Sequence, residues 1–265
     1  MKKNVVLIGA TGKMGLEASK MILENDHFNL VGAISASKHI GEDIGILSRN
    51  MPSGQLVSDD LEQILAQNQV DVVLDLTQIE ALRKNAEIIL SQGIPMVVGT
   101  TGLRDEDKVN FKNLAKKNNT CFFFVPNFAI GAVLMMKFAE MAARYMPYVE
   151  VIERHHEMKK DAPSGTALTT LERMAKVRVA HNLAREDEVE LLSGARGGEY
   201  QGMRVHSLRM KGYNAHQEVI FGDVGQTLTI AHDSIHRSSF MSGIALALDK
   251  IDTLSGYVEG LDEIL

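Results

Sequence analysis

From residue 4 to about residue 126 the chain alternates short apolar runs with amphipathic segments, a pattern that restricts the fold more than any other feature. Short apolar runs bounded by glycine, proline or polar turns are typical of buried strands. They are Val5–Ile8, Leu30–Ile34, Val70–Leu76, Pro95–Val98 and Cys121–Val125. The intervening segments predict helices over 13–24, 59–67, 79–91 and 104–117, and Asp59 with Glu62 predicts a capping box for the second. Such alternation indicates an α/β fold with a doubly wound parallel sheet.

The pattern changes in the second half of the chain. The predicted elements are a helix over 129–145, a strand over Val149–Ile152, a helix over 164–180, an irregular glycine-rich stretch over 193–202 and strands near 204–210, 217–221 and 226–231. We expect antiparallel hairpins with turns at 211–214 and 222–225, and a last helix over 238–250. The chain therefore divides into a first domain over 1–127, to which 238–265 returns, and a second α+β domain over 128–237 with a mixed or antiparallel sheet.

Composition narrows the class of protein. Of the 265 residues 45% are hydrophobic and 23% are charged, as in ordinary soluble domains. A net charge of −6 argues against a broad nucleic-acid surface. The single cysteine excludes an internal disulfide, and no apolar run approaches the roughly 20 residues of a membrane span. We therefore expect a cytoplasmic protein with neither nucleic acid nor membrane as a partner.

A glycine-rich turn follows the first strand directly and opens the first predicted helix. Its sequence is Gly9-Ala10-Thr11-Gly12-Lys13-Met14-Gly15. The first glycine permits a tight turn, the second lets a pyrophosphate approach the backbone, and the third allows helix and strand to pack closely. The spacing differs from the commoner G-x-G-x-x-G, and a tight turn without a ligand is the alternative. Its position after the first strand favours a Rossmann-like dinucleotide site that includes residues Gly9 to Met14.

Other strand ends complete this predicted cofactor site. The second strand is followed by Ser35, Ser37 and Lys38 and by no carboxylate, which favours the 2′-phosphate of NADPH while NADH stays usable. Ligands of doubly wound sheets gather at the carboxyl ends of strands. The turns that would line the nicotinamide half are Gly99-Thr100-Thr101-Gly102 and Val125-Pro126-Asn127-Phe128. Ordinary turn chemistry is the alternative for either turn.

The run from Glu153 to Ala167 carries the strongest sign of an active site. It places His155, His156 and Lys159 within five residues of one another, followed by the turn Pro163-Ser164-Gly165-Thr166. Such a turn can open a helix whose N–H groups face a ligand. Cationic side chains beside it suit a small carboxylate that must also be protonated. A zinc site is disfavoured, because the run has no H-E-x-x-H pattern and Cys121 lies in an apolar strand.

Together these motifs resemble the 4-hydroxy-tetrahydrodipicolinate reductase family, also called the dihydrodipicolinate reductases. The shared features are Gly9 to Gly15, Gly99 to Gly102, Pro126-Asn127-Phe128, the run from His155 to Ala167, and Arg209, Gly212, His216 and Phe221-Gly222. The resemblance implies reduction of a cyclic imine-type dicarboxylate by NAD(P)H, with loss of water, in lysine and diaminopimelate biosynthesis. It implies that His155 and Lys159 handle protons and that His156, Gly165 and Thr166 contact the substrate.

The resemblance also implies an architecture. The second domain would bind substrate and form a homotetramer through its sheet, and hinges near 127–130 and 236–240 would close the two domains over the substrate. Two positions depart from the family. Lys13 stands where arginine is common. Lysine keeps the positive charge but lacks the paired N–H donors with which a guanidinium binds a phosphate in a bidentate manner. Ala36 stands where many members carry an acidic residue, so the cofactor preference of those members does not transfer.

Two alternative functions stay open on the sequence. An aspartate-semialdehyde dehydrogenase needs an accessible nucleophilic cysteine, whereas Cys121 lies in the apolar run Cys-Phe-Phe-Phe-Val. A non-catalytic NADPH-binding regulator would have no need for the proton donors His155, His156 and Lys159.

Overall fold

The computed structural model describes residues 2–179, 187 and 189–265. In this part of the chain the strands are β1 (Lys3–Ile8), β2 (Phe28–Ile34), β3 (Val57–Ser58), β4 (Val72–Asp75), β5 (Met96–Val98), β6 (Cys121–Phe124), β7 (Tyr148–His155), β8 (Gly198–Tyr200), β9 (Met203–Arg209), β10 (Ala215–Asp223), β11 (Gln226–Ser234) and β12 (Gly256–Glu259). The α-helices are α1 (Lys13–Glu24), α2 (Ile44–Arg49), α3 (Leu61–Gln67), α4 (Ile79–Ser91), α5 (Asp105–Lys117), α6 (Ile130–Ala142), α7 (Gly165–Ala175) and α8 (Met241–Lys250). Short 3-10 turns cover Arg237–Phe240, Ile251–Thr253 and Leu261–Ile264.

The chain forms two compact units, Met1–Phe128 with Phe240–Leu265, and Ala129–Ser239. The first unit contains a seven-stranded sheet in the order β12-β6-β5-β4-β1-β2-β3, in which neighbouring strands pair in parallel. Strands β4, β5 and β6 are buried along their whole length. They therefore read as continuous apolar runs in the sequence, as strands covered on both faces do. The predicted Rossmann-like parallel sheet is confirmed.

The helices of the first unit follow the predicted periodicity, with one corrected start. Helices α1 and α4 have the predicted bounds. The predicted capping pair of Asp59 and Glu62 is wrong: α3 begins at Leu61, and the Asp60 side chain accepts a 2.8 Å hydrogen bond from the Gln63 backbone N–H. The cap lies one residue later than predicted: Asp60 occupies the N-cap, and its side chain accepts from the Gln63 N–H group, one of those that the helix leaves without an internal acceptor.

The C-terminal segment belongs to the first unit. Strand β12 pairs in parallel with β6, and the Tyr257 ring stacks on Phe122 at a centroid distance of 5.8 Å. Lys3 Nζ donates a 2.8 Å hydrogen bond to the Leu248 carbonyl oxygen at the end of α8. A side chain at Gly243 would collide with the Phe128 carbonyl group, so this helix packs against backbone where only glycine fits.

The second unit contains a five-stranded sheet in the order β11-β10-β7-β9-β8. Its core includes the buried side chains of Ala139, Val149, Val151, Leu171 and Phe221, contributed by α6, α7 and the sheet. The hairpin of β10 and β11 at 222–225 is confirmed, since Asp223 pairs with Gln226.

The predicted hairpin at 211–214 is wrong. Strands β9 and β10 do not pair with each other, because β7 lies between them. Strand β7 is antiparallel to β10 and parallel to β9. The parallel pairing is possible because the long segment between β7 and β9, which includes α7, provides the crossover that parallel strands require.

Helix α7 is shorter than the predicted helix over 164–180. It ends at Ala175, and residue 180 lies outside the described residues. Just beyond the helix, the buried Arg178 guanidinium donates a 2.9 Å hydrogen bond to the Pro147 carbonyl oxygen. Within the ranges given above, no helix combines the length and apolar character needed to cross a membrane.

Candidate active site

The glycine turn lies between β1 and α1 and has the geometry of an anion site. Gly9 has φ +82°, and a Cβ there would lie 2.6 Å from the Leu76 carbonyl oxygen. Gly12 is the N-cap of α1 and provides no side-chain hydrogen bond to it. The first N–H groups of a helix have no acceptor within that helix, and the helix dipole favours negative charge there. The turn therefore fits a pyrophosphate, which its backbone can approach closely.

The structure brings the other predicted cofactor residues to the same edge of the first sheet. Residues 37–38 follow β2, residues 99–101 follow β5 and residues 125–128 follow β6, and the carboxyl ends of these parallel strands share one edge. The residues exposed there are Ser37, Lys38, Thr101 and Pro126. The residues buried there are Thr100, Val125 and Phe128. The Phe128 ring packs against Gly99, where a Cβ would lie 2.7 Å from its Cε2 atom.

Ser35 connects the end of β2 to the glycine turn. Its side chain is buried, and its hydroxyl lies 2.8 Å from the Thr11 hydroxyl. The Lys38 backbone N–H also donates to the Ser35 hydroxyl at 3.4 Å. Ser35 is thus occupied within the protein, and the exposed polar groups at this strand end are Ser37 and Lys38. Lys13, at the start of α1, is exposed as well.

Sequence reasoning missed Asp75, a buried carboxylate at the end of β4. Its Oδ1 atom accepts hydrogen bonds from the Thr100 hydroxyl at 2.8 Å and from the Thr77 hydroxyl at 2.6 Å. Burial raises the pKa of Asp75, although these hydrogen bonds and one from Asn85 oppose the rise. The carboxylate therefore holds together the turns that follow β4 and β5. Its signal in the sequence is an acidic residue that ends an otherwise apolar strand.

In the second unit, His155 is the last residue of β7 and binds a buried carboxylate. Its Nδ1 atom is hydrogen-bonded to Oε2 of Glu153, whose side chain is fully buried. The Arg209 guanidinium donates to both carboxylate oxygens of Glu153, at 2.8 and 3.0 Å. Burial alone would raise the pKa of Glu153, but the hydrogen bonds from His155, Arg209 and Ser207 outweigh it and lower the pKa to about 2. His155 thus lies beside a permanent anion.

The loop after β7 carries the other predicted cations. His156 is exposed, directly after the strand. Lys159 Nζ donates to the two carboxylate oxygens of Asp161 at 2.8 and 3.0 Å, and this contact lowers the pKa of Asp161. The Asp161 carbonyl oxygen accepts a 2.6 Å hydrogen bond from Arg209. One arginine therefore contacts both the carboxylate that binds His155 and the residue that binds Lys159.

Helix α7 presents the predicted carboxylate-binding residues in its first turn. The Ser164 side chain caps the helix by accepting a 3.2 Å hydrogen bond from the Ala167 N–H. A Cβ at Gly165 would have no atom within 4 Å, so space is open beside the helix start. The Thr166 carbonyl oxygen accepts a 2.7 Å hydrogen bond from the Thr170 hydroxyl, which in turn accepts from Gln217 at 2.8 Å. A helix start of this kind can bind a carboxylate through backbone N–H groups.

Two family models match the chain, one described as "Dihydrodipicolinate reductase, N-terminus" over residues 3–128 and the other as "Dihydrodipicolinate reductase, C-terminus" over residues 131–265. The chain belongs to the dihydrodipicolinate reductase family. This family consists of pyridine-nucleotide-dependent reductases with a Rossmann-like nucleotide-binding domain. The resemblance stated from the sequence motifs is confirmed.

Relatives of similar length support the same membership. The chain is 47% identical to a 4-hydroxy-tetrahydrodipicolinate reductase of Halalkalibacterium halodurans, over 98% of each chain, and 46% identical to one of Oceanobacillus iheyensis, over 100% of each chain. A dipicolinate-bound dihydrodipicolinate reductase from a Paenisporosarcina species has a similar structure, with a TM-score of 0.89 and 42% identity over 100% of both chains.

The structure also argues against the alternative that the chain is an aspartate-semialdehyde dehydrogenase. An aspartate semialdehyde dehydrogenase from Candida albicans shares only the fold, with a TM-score of 0.53 and 12% identity over 85% of this chain and 73% of that one. Cys121 is buried, and burial raises the pKa of its thiol to about 12. A thiol of this kind is not a nucleophile near neutral pH, because the thiolate is the reactive form. This chain therefore lacks the reactive cysteine that an aspartate semialdehyde dehydrogenase requires.

Proposed function

We propose that this protein reduces 4-hydroxy-tetrahydrodipicolinate to tetrahydrodipicolinate with NAD(P)H, with loss of water, in lysine and diaminopimelate biosynthesis. The observation that carries the proposal is the group of His155, Lys159 and the open start of α7, in a chain 47% identical over nearly its full length to a reductase of that name. The first unit is the proposed dinucleotide-binding domain and the second the proposed substrate-binding domain.

The proposed roles follow from the chemistry of each group. The turn from Gly9 to Met14 would hold the pyrophosphate of a dinucleotide, which when bound would supply a hydride to the conjugated imine. Hydride addition leaves electron density that a positioned acid must neutralise. Lys159 is a cation that can donate a proton to the substrate and attract its carboxylate, and His155 can relay a proton beside it. Loss of the hydroxyl as water also requires a proton, so two donors suit the reaction.

The dicarboxylate would be bound by the first turn of α7. Backbone N–H groups of Gly165 and Thr166 point along the helix axis and need little reorganisation to bind a carboxylate. His156 is exposed at the end of β7 and would contact the substrate as a third group. The relative from Paenisporosarcina binds dipicolinate, a planar dicarboxylate, which supports this class of ligand for the related chain described here.

This assignment predicts inhibition by a planar pyridine dicarboxylate. We expect pyridine-2,6-dicarboxylate at millimolar concentration to compete with the cyclic substrate and to raise the melting temperature, since a ligand that binds only the folded state stabilises it. Pyridine-2-carboxylate, which lacks one carboxylate, is the matched control and should inhibit more weakly. Equal inhibition by both compounds, or none by either, would remove the support for two carboxylate contacts.

The end of β2 predicts a preference for NADPH. Ser37 and Lys38 are exposed there, and Ala36 stands where a carboxylate would repel a 2′-phosphate. One exposed, charge-assisted contact is worth ~1–2 kcal/mol, so kcat/KM should favour NADPH over NADH roughly 5–30-fold, and less at high salt. Ala36→Glu should reverse the preference, whereas Ala36→Gln, which adds similar bulk without charge, should reverse it less. A wild-type enzyme that favours NADH would contradict this assignment.

A coupled assay tests the reaction itself. Pyruvate, aspartate semialdehyde and the synthase that condenses them supply the unstable substrate, and absorbance at about 340 nm follows oxidation of the reduced cofactor. We expect oxidation that depends on every component of the mixture. Binding of NADPH without any substrate-dependent oxidation would instead identify a non-catalytic nucleotide-binding protein.

A further inference from the structure

In strand β7 every second side chain is buried, and one of these buried positions is occupied by a carboxylate. Val149 and Val151 are buried in the core of the second unit, and Glu153 follows on the same face with 0% exposure. A buried carboxylate is costly unless cations and hydrogen-bond donors compensate it. Arg209 and His155 both bind it, and Arg209 reaches both oxygens. The strand therefore carries a fully compensated anion directly beside His155.

The anion determines which ring nitrogen of His155 carries a proton. An ionised carboxylate only accepts hydrogen bonds, so the Nδ1 atom that contacts Glu153 must be the donor. The Nε2 atom is then the ring nitrogen that is available to exchange a proton with a substrate. A carboxylate in this place also stabilises the protonated imidazolium, as the third member of a catalytic triad does for its histidine.

Arg209 connects this anion to the loop that carries Lys159. Its Nη2 atom donates both to Glu153 Oε1 at 2.8 Å and to the Asp161 carbonyl oxygen at 2.6 Å. The carboxylate of the same Asp161 binds Lys159 Nζ. A continuous series of hydrogen bonds thus runs from His155 through Glu153, Arg209 and Asp161 to Lys159, over segments that are distant in sequence.

We propose that Glu153 and Arg209 are positioning residues that fix the proton-carrying nitrogen of His155 and hold it in a defined relation to the Lys159 loop. The proposal rests on the proposed reductase function and adds two residues to its machinery. Among the described residues, Glu153 on β7 contacts His155, Arg209 on β9 pairs with it across the sheet, and Lys159 and Asp161 lie in the loop that follows it. On β10 the residue paired with His155 is the uncharged Ala215, and Gln217 pairs with Glu153.

Glu153→Gln tests the charge with almost no change in shape, and the same strand offers a matched control. Glu150 also binds one histidine and one arginine, His206 at 2.9 Å and Arg196 at 3.0 Å, but it faces the opposite side of β7. We expect Glu153→Gln to lower kcat by about 10²-fold, the lower end of what an acid or base contributes, with little change in the KM for the cofactor. Glu150→Gln should leave kcat within about twofold, because a partly exposed ion pair contributes little.

The pH profile separates a positioning role from a merely structural one. An amide stabilises a neighbouring positive charge less than a carboxylate does, so the alkaline limb of kcat/KM should move to lower pH in Glu153→Gln. Glu153→Asp keeps the charge and should restore the limb but not the full kcat. Arg209→Lys should lower kcat but leave the alkaline limb of kcat/KM in place. Lysine keeps the positive charge but loses the paired donors that reach both oxygens of Glu153. An unchanged profile and kcat in Glu153→Gln, or equal losses in Glu150→Gln, would overturn the proposal.

A readout without turnover keeps this inference separate from the reductase assignment. Nitrogen-15 NMR of histidine-labelled wild-type protein, with His155→Gln to assign the signal, should show a protonated Nδ1 atom in His155 across neutral pH. Glu153→Gln should instead give a mixture of tautomers. An unprotonated Nδ1 atom in the wild type overturns the proposal even if the enzyme is active. If the coupled assay fails while Nδ1 is protonated, the reductase function fails and the Glu153–His155 geometry stands.

Discussion

Lys159→Ala is expected to lower kcat by roughly 10²–10⁴-fold, the range that one positioned acid contributes. The ammonium group is held by Asp161 in the loop that follows β7, the strand whose last residue is His155. Its removal would take away the proposed proton donor and the proposed cation for the substrate carboxylate. Affinity for NADPH should stay nearly the same, because the glycine turn lies in the other unit.

The neighbouring lysine provides the control for this substitution. Lys160 is exposed and has the same charge one position further along the loop. Lys160→Ala should keep kcat within about twofold, as expected for a surface substitution. Steady-state kinetics and NADPH titration by fluorescence measure both quantities. A Lys159→Ala enzyme with turnover near that of Lys160→Ala would remove Lys159 from the mechanism.

Gly12→Val is expected to weaken NADPH binding by at least about a hundredfold, which corresponds to about 2.7 kcal/mol. Gly12 has φ −73°, which valine can adopt, and a Cβ there would lie 3.3 Å from the Gly9 carbonyl oxygen. The backbone therefore needs to adjust by only a few tenths of an ångström. The branched side chain would instead fill the space through which a pyrophosphate approaches the helix start.

Two measurements distinguish this effect from a loss of fold. The melting temperature without ligand should change by only a few degrees, and pyridine-2,6-dicarboxylate should bind as in the wild type. Gly12→Ala, with one carbon added, should have a smaller effect on NADPH binding. If Gly12→Val binds NADPH as the wild type does, the turn is only a structural connection and the pyrophosphate lies elsewhere.

The regular elements of the first unit could be predicted because their signals are local. Fully buried strands and amphipathic helices have periods visible within a window of about 11–18 residues. Helix α2 and strand β3 were not predicted, and they are only six and two residues long. Their loop is organised by the Asp43 carboxylate, which accepts hydrogen bonds from Ser53 and Gly54. Burial alone would raise the pKa of Asp43, but these hydrogen bonds outweigh it and lower the pKa to about 2. That network follows no hydrophobic period, so a search for periodic patterns does not reveal it.

Sheet order in the second unit depended on pairing between distant strands. The hairpin of β10 and β11 was predictable because a short turn joins the strands. The insertion of β7 between β9 and β10 was not, since two strands adjacent in sequence need not be adjacent in a sheet. The return of 238–265 to the first domain was predicted, whereas the packing of the last helix against Phe128 and the pairing of β12 with β6 are visible only in the structure.

Residue types and their spacing were enough to identify the chemical groups of the candidate sites. The glycine turn and the run from His155 to Thr166 are each contiguous, so their residue types and spacing could be read directly. The contacts that support these groups became visible in the folded structure. Arg209 reaches Glu153 across 56 positions of sequence, and Thr100 reaches Asp75 across 25. Hydrogen bonds in a buried site depend on which strands become neighbours, and that choice is made by the packing of the whole unit and not by any local stretch of chain.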